Sequence, residues 1–348
     1  MESNSNTNSQ DIVLMSSVNV YMCDATHIGI FRELRGKNNI ESRIKKGRRI
    51  SYVLLGAGLH EENGINPYIS YKLHTTFCRP RMNYALEAIQ LLEGEKLELL
   101  RYERKLLKQL QSLPERCVTL ATYVLLGAKP ITTVIEKNTL NAFYNIARHE
   151  DFIEHEIARS QLAIKDENSN SWFTYIRKLL QKYNLPTAYE IMGNPLTKGQ
   201  WKELLNKEID KYWKNEWEVE KQGKSSLKYL TIQENPTRNT HIIWKTTKLN
   251  PRSVAKTSVK VKILTGNYTL QANRQKYNQQ EVSPICKLCN LEPEVREHFI
   301  LRCPMLETKR KFYLHYCIPA NPTDLRGRLP IFNLFYRLPI LNNILPLL

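Results

Sequence analysis

The sequence predicts a mainly α protein built as a helical bundle, a helical connector and a small zinc-binding lobe of the Cys-Cys-His-Cys (CCHC) type. Three observations carry that expectation. Apolar residues recur at helical spacing through most of the chain, prolines punctuate those periodic stretches, and Cys286, Cys289 and Cys303 crowd together around His298. With 348 residues and 42% hydrophobic content, the chain can bury an ordinary core in two or three domains. A disulfide-dependent miniprotein is excluded.

Residues 1–24 open on Ser, Asn, Thr and Gln and read as a disordered tail. A helical bundle is expected over 25–164. In its first helix, over 40–59, Ile40, Ile44, Ile50, Leu54 and Leu55 share one side of a helical wheel with Gly47, where a missing side chain lets another helix come close. Lys45, Lys46, Arg48, Arg49 and Tyr52 take the other side. Asn66 and Pro67 form an N-cap and first-turn pair; the helix they open carries Ile69, Leu73 and Phe77 and is expected to stop near Pro80. Leu97, Leu100, Leu107 and Leu110 mark a helix over 95–113, and further helices follow over 118–126, 131–148 and 152–164.

A helical connector is expected over 165–249. It contains an amphipathic helix over 172–183, a link over 185–199 broken by Pro and Gly, and a helix over 201–220. On that last helix Trp201, Trp213 and Trp217 fall near one face with Leu204, Leu205 and Ile209. Apolar residues so spaced usually pack inward, so the tryptophans read as a core stripe in preference to a base-stacking platform. Residues 227–232 and 241–244 read as short strands or extended connections.

Residues 250–317 are expected to hold a basic helix and the metal lobe. Asn250 and Pro251 start the helix and Gly266 ends it. Arg252, Lys256 and Lys260 recur every four residues opposite Val254, Val261 and Leu264. Cys286 and Cys289, two residues apart in the gap between them, can approach one Zn²⁺ from a tight turn, and His298 and Cys303 complete a tetrahedron with metal–sulfur bonds of ~2.3 Å. Pro304 disfavours helical geometry at Cys303, so that ligand is expected to curl back from a short helix over 294–302. Three thiolates and one imidazole close the coordination sphere against water, which makes the zinc structural. A cross-braced ubiquitin-ligase module needs twice as many ligands, and only His315 and Cys317 remain nearby. A zinc deaminase needs His-x-Glu shortly before Pro-Cys-x-x-Cys, whereas His60 lies far upstream and Pro284 is not adjacent to Cys286. Residues 318–348 form an apolar tail, interrupted by Pro330, Arg337, Pro339 and Pro346, that suits a membrane-spanning helix poorly.

Charge narrows the partners. Lys+Arg 51 against Asp+Glu 34 gives +17 and a pI near 9.5, which favours a polyanion: RNA or DNA first, an anionic membrane surface second. The two basic helix faces, together with Lys287, Arg296 and Arg302 around the metal ligands, are the candidate phosphate contacts. The mean hydropathy of −0.46 argues against a polytopic membrane protein. The first thirty residues contain no Lys or Arg, unlike a signal or transit sequence, and the cysteines suit a reducing compartment, so an intracellular protein with possible access to the nucleus is expected. No P-loop or Gly-x-Ser-x-Gly elbow is present, and Asp11, Asp24, Asp151, Asp166, Asp210 and Asp324 are all isolated. Tyr21-Met-Cys-Asp24 is followed by Ala25 where a polymerase hairpin has its second Asp. Neither a complete active site nor a small-molecule substrate is expected.

In order along the chain stand Ala25-Thr-His-Ile-Gly-Ile30, Arg43-Ile-Lys-Lys-Gly-Arg-Arg-Ile50, Leu55-Gly-Ala-Gly-Leu59, Arg79-Pro-Arg-Met-Asn-Tyr84 with Leu86 and Glu87, Leu125-Leu-Gly-Ala-Lys-Pro130, Ser171-Trp-Phe173, Leu264-Thr-Gly-Asn-Tyr268, and the Cys286 to Cys303 cluster with Glu297-His-Phe299. This series resembles the carboxy-terminal part of non-LTR retrotransposon reverse transcriptases of the jockey and CR1 kind. The resemblance implies a thumb-like helical domain over 25–164 that grips a template and primer, and a zinc knuckle that engages RNA or target DNA. It also implies that Arg43, Lys45, Lys46, Arg48 and Arg49 face the nucleic-acid backbone. The family's fingers, palm and endonuclease have no counterpart here, so polymerase activity is not carried over, and a truncated fragment that binds RNA and DNA is expected. Two other readings stay open: a zinc-stabilised protein-interaction module whose charge serves solubility, and a piece of an intact RNA-directed DNA polymerase whose catalytic part lies upstream.

Overall fold

The computed structural model describes residues 37–58, 64–276 and 281–308. The expected tails at 1–24 and 318–348, the Ala25 to Ile30 motif, His60, His315 and Cys317 lie outside them. Among the described residues the chain is mainly helical, as the sequence predicts, and β structure is confined to one antiparallel bridge between Ile285 and Pro293. The helices are α1 (Lys37–Gly56), α2 (Pro67–Leu73), α3 (Arg79–Asn83), α4 (Glu93–Leu110), α5 (Thr119–Leu126), α6 (Ile131–Ala147), α7 (Ile153–Ile164), α8 (Trp172–Lys182), α9 (Ala188–Gly193), α10 (Lys198–Gln222), α11 (Ile242–Lys245), α12 (Pro251–Leu264) and α13 (Gln271–Lys276). None of them is long and apolar enough to cross a membrane. The chain divides into two compact units, the first formed by residues 37–54, 72–104 and 129–215, the second by 55–58, 64–71, 105–128, 216–276 and 281–308.

In the first unit, the early turns of α1 split as the sequence pattern predicts, whereas Ile50 and Leu54 of the expected apolar side are only half-buried. Ile40, Ile44, Gly47 and Ser51 are buried, while Lys45, Lys46, Arg48, Arg49 and Tyr52 are exposed. A Cβ on Gly47 would stand 2.6 Å from Cγ and Sδ of Met82, so the bare backbone is what admits that side chain. Arg43 belongs to the buried side. Its guanidinium donates to Tyr84 O at 2.5 Å, to Asn39 Oδ1 at 2.9 Å and to Met82 O at 3.3 Å, which removes it from the basic face that the family resemblance implies.

Pro80 does not stop its helix. A π-turn over His74–Cys78, closed by Arg79 N–H to His74 O, restarts the helical register. Pro80 then falls in the first turn of α3, where its lack of an N–H leaves no bond unmade. The stop comes instead after Asn83, where Tyr84 turns extended with ψ of 124° and Ala85 then takes a left-handed conformation with φ of 56°.

α6 is apolar on both sides and serves two cores. Its first turns, through Ile131 and Ile135, join Ile40, Met82, Leu86 and Leu99. Its later turns, through Leu140, Phe143 and Ala147, join Leu162, Ile176, Leu179, Trp201 and Leu205. Pro130 at the N-cap has no side chain that can cap α6, and Glu103 substitutes: it accepts from Ile131 N–H at 2.8 Å and from Arg79 Nη2 at 2.6 Å while fully buried. Two partners are what make a buried carboxylate tolerable. Local caps account for other boundaries, with Ser171 Oγ accepting from Thr174 N–H and a capping box between Thr187 and Glu190. Trp201 is in the core, as the stripe reading requires.

In the second unit, α5 is almost wholly buried and its terminal carbonyls are met by the segment after 239. His241 N–H donates to Leu125 O at 3.1 Å, and Thr240 Oγ1 donates to Leu126 O at 3.1 Å. Of the short strands or extended connections expected at 227–232 and 241–244, no strand forms: 228–233 runs on as a connection, and 242–244 is helical. A 3₁₀ turn over Ser225–Leu227 and the short helix α11 replace them. Leu227, Leu230 and Trp244 bury their side chains one by one, and His241 Nδ1 accepts from Ile243 N–H to cap α11, so no ladder is required. Trp217 is buried and stacks on Tyr123 with ring centroids 6.3 Å apart. Asn250 caps α12 through Oδ1 and Ser253 N–H at 2.8 Å, as its sequence predicts.

Gly127 has φ of 63°, and a Cβ there would stand 2.5 Å from the backbone of Asn239. Gly127→Ala therefore meets both the left-handed penalty and an immovable neighbour, and is expected to destabilise by at least ~2 kcal/mol. Gly94→Ala, with no atom within 4 Å of the added carbon, is expected to stay within ~0.5 kcal/mol of the parent. Urea unfolding of the two variants measures the difference.

Candidate metal centre

The four predicted ligands meet in the second unit because two tight local turns aim them at one point. After Cys289 the chain reverses at Asn290, which has φ of 55° and whose N–H donates to Cys286 O at 2.8 Å. Cys286 N–H to Glu292 O at 2.9 Å and Glu294 N–H to Pro284 O at 2.8 Å complete the knuckle around the Ile285–Pro293 bridge. The chain then enters a π-turn over His298–Arg302, closed by Cys303 N–H to His298 O at 2.8 Å. In an α-helix, residues five apart point ~140° away from each other. The wider π-turn reduces that angle and brings Cys303 beneath His298. Cys303 itself leaves the helix with ψ of 118°, as the following proline demands.

The ligand atoms of Cys286, Cys289, His298 and Cys303 all lie within 4.8 Å of one another. Cys286 Sγ is 4.0 Å from Cys303 Sγ, and Cys289 Sγ is 3.3 Å from His298 Nε2. A tetrahedron with metal–sulfur bonds of ~2.3 Å has edges of ~3.8 Å, so the cluster has the dimensions of a four-coordinate site. The group can hold a metal ion.

His298 Nδ1 lies 3.1 Å from Glu292 Oε2. With Nδ1–H donating to that carboxylate, the lone pair of Nε2 is left facing the sulfurs. Arg302 Nε, 3.7 Å from the same oxygen, steadies Glu292 in turn. Burial pushes the Cys303 thiol up to about 11, with the nearby Cys286 sulfur adding to the effect. At Cys289 burial also acts upward, but the N–H groups of Leu291 and Glu292, with Cys286 and His298, outweigh it and bring the thiol down to about 7. A dication at the centre favours the thiolate at every position.

Behind the ligands, Phe299 and Leu306 are buried, and Glu294 accepts from Gln271 N–H at 2.7 Å. Arg296 spans four carbonyls, donating to Ser226 O at 3.0 Å, Leu264 O at 3.2 Å, Ser225 O at 3.3 Å and Ile263 O at 3.4 Å, with its guanidinium 5.0 Å above the Tyr229 ring. The Tyr229 hydroxyl donates to Glu297. Arg296 thus caps the end of α12, and its donors are occupied by backbone.

The remaining candidate phosphate contacts fall in two places. Lys45, Lys46, Arg48 and Arg49 are exposed together on α1 in the first unit. None of the four has a carboxylate within ion-pair distance among the described residues. In the second unit Arg252, Lys287 and Arg302 are exposed, whereas Lys256 and Lys260 are half-buried. Burial, then the neighbouring Lys256, lowers the Lys260 ammonium below its ordinary value. Glu292, Glu294 and Tyr229, which support the centre, carry no spacing signal in the sequence.

No family model, curated protein or solved structure matches the chain. Fold and site together define a mainly helical protein with a Cys₃His group that could hold a metal ion.

Glu292→Gln is expected to weaken metal binding by ~10-fold or more, read by competition with a chromophoric chelator. Affinity should also fall steadily as pH is lowered from 8 to 6. Each thiol must release a proton to solvent to bind, and the Cys303 thiol, standing near 11, does so when a metal takes the proton's place.

Proposed function

We propose that this chain holds RNA or DNA through phosphate contacts, and that its Cys286, Cys289, His298, Cys303 group carries a structural Zn²⁺. These roles are patterned on those of the thumb and zinc-binding tail of the non-LTR retrotransposon reverse transcriptases that the sequence resembles. The observation that carries the reading is the α1 face, where Lys45, Lys46, Arg48 and Arg49 stand exposed and without carboxylate partners among the described residues on a helix whose other side is anchored in a core. Lys45 and Arg49 are i and i+4, a like-charge pair that weakens an isolated helix and that a polyanion would relieve.

Zinc fits the donor set. Three thiolates and an imidazole suit a borderline-soft dication, and four protein ligands leave no position for a reacting water. Kept reduced inside a cell, the thiols remain available as ligands.

The α1 cations span ~6 Å of helix axis, enough to cover about two phosphates of one strand. Replacing all four by Gln is therefore expected to reduce the slope of log affinity against log salt on duplex by roughly 2. The check is a filter-binding titration over a range of salt, paired with elemental analysis for one equivalent of zinc. An unchanged slope, or no affinity for RNA or DNA at low salt, overturns the reading.

A further inference from the structure

Within the first unit, the end of α6, the start of α7 and the start of α10 enclose a cleft of about 310 Å³ whose lining includes Ile146, Arg148, His149, Phe152, Glu154 and Lys198. That volume is at the small end of ligand clefts. Its walls are fixed from behind. Tyr144 of α6 stacks on Trp201 of α10 with ring centroids 4.9 Å apart and planes within 5°. The Tyr144 hydroxyl donates to Leu196 O at 2.6 Å, and buried His155 of α7 holds Ala147 O at 3.1 Å through Nδ1. A cleft braced in this way has its shape before a ligand arrives.

Phe152 is the unusual wall. It occupies the N-cap of α7, a position that favours Ser, Thr, Asp or Asn, and it makes no capping bond. Its side chain is 54% exposed, and its ring lies 5.1 Å from that of His149. An apolar ring is thus kept in water where a polar residue would serve the helix better. Arg148 and Lys198 are exposed on the rim beside Glu154, with the carboxylates of Glu150 and Asp151 exposed in the turn that joins Arg148 to Phe152. The negative end of α6 and the positive end of α7 meet here and offset each other, so the side chains set the sign of the field.

We infer that this cleft seats one unstacked nucleotide of a single strand, its base lying against Phe152 and His149 and its phosphate meeting Arg148 and Lys198. Single strands offer free base faces to aromatic side chains, and cations beside the ring take the backbone. A duplex offers no free face. The inference rests on the nucleic-acid reading above and gives it a strand type.

The test uses the full chain, fluorescence anisotropy with a short single strand and a hairpin duplex, and photo-crosslinking of a 5-iodouridine single strand. Phe152→Ala is expected to weaken single-strand binding ~10-fold, Phe152→Trp to restore it, and both to leave duplex binding within ~2-fold. Arg148→Ala and Lys198→Ala should each lower the single-strand salt slope by about 0.7. The crosslink should map to the tryptic peptide of residues 149–159. Single-strand binding that ignores Phe152, with crosslinks only elsewhere, overturns this inference and leaves the nucleic-acid reading standing. A chain that binds neither RNA nor DNA overturns both. His149→Ala and the crosslink keep the outcome decisive if Phe152→Ala fails to fold.

Discussion

Three thiols and an imidazole gathered within 4.8 Å are the constraint on which residues 281–308 depend. Little else in that segment is regular: one bridge, a π-turn and a 3₁₀ turn, with Phe299, Ile300 and Leu306 as its main buried apolar groups. Protonated thiols attract one another weakly, and burial opposes the thiolate at Cys303. A coordinated dication changes both terms, because it supplies bonds and stabilises the charged form of each ligand. The consequence reaches beyond the ligands. Arg296 and Glu297 immediately precede His298 and tie into Tyr229 and the end of α12, so whatever fixes His298 also fixes the cap of that helix. A metal held by His298 would therefore also steady the α12 terminus.

Positive charge in this chain does two different jobs. Arg43 and Arg296 spend their guanidinium donors largely on backbone carbonyls, and Arg79 holds Glu103 in the interior. These cations are architectural; replacing one would leave buried acceptors unsatisfied. Lys45, Lys46, Arg48 and Arg49 satisfy no such acceptor and face solvent. The exposed cations are therefore the ones within direct reach of a ligand. The separation follows from geometry: Arg43 lies one turn from Gly47, on the side of α1 that Met82 approaches, and the others do not.

How much was legible depends on how local each feature is. Asn250 before Pro251 and the periodicity of α4, α6 and α8 all act within a few residues, and their helices form where the sequence places them. The Cys286, Cys289, His298 and Cys303 group was legible for the same reason, since tight local turns bring its members together. Pro80 misled because a π-turn upstream resets the register, an adjustment with no residue signature. The short apolar runs at 227–232 and 241–244 look alike whether they pair in a sheet or bury residues singly, and only the carbonyls at the end of α5 decide. Glu292 became visible as the partner of His298 only once the knuckle had folded. The cleft is the least local feature of all, since residues near 150 meet Lys198 through a Tyr144–Trp201 stack that no spacing rule encodes.

That stack also reassigns the role the tryptophans were weighed for. Trp201 is buried and fixes a wall, while the exposed ring beside it belongs to Phe152, a residue that fits its N-cap poorly. α1 shows the same kind of conflict, since Lys45 and Arg49 are like charges one turn apart. Each departs from what local stability favours by a modest amount, ~1 kcal/mol for a lost cap and a few tenths for the charge pair. Local rules tend to be broken where a surface has work to do, and in both places the break leaves cations unpaired or an aromatic face open. On the proposed reading, a strand of nucleic acid would answer both: its phosphates would offset the repulsion on α1, and its bases would cover the ring that the fold leaves in water.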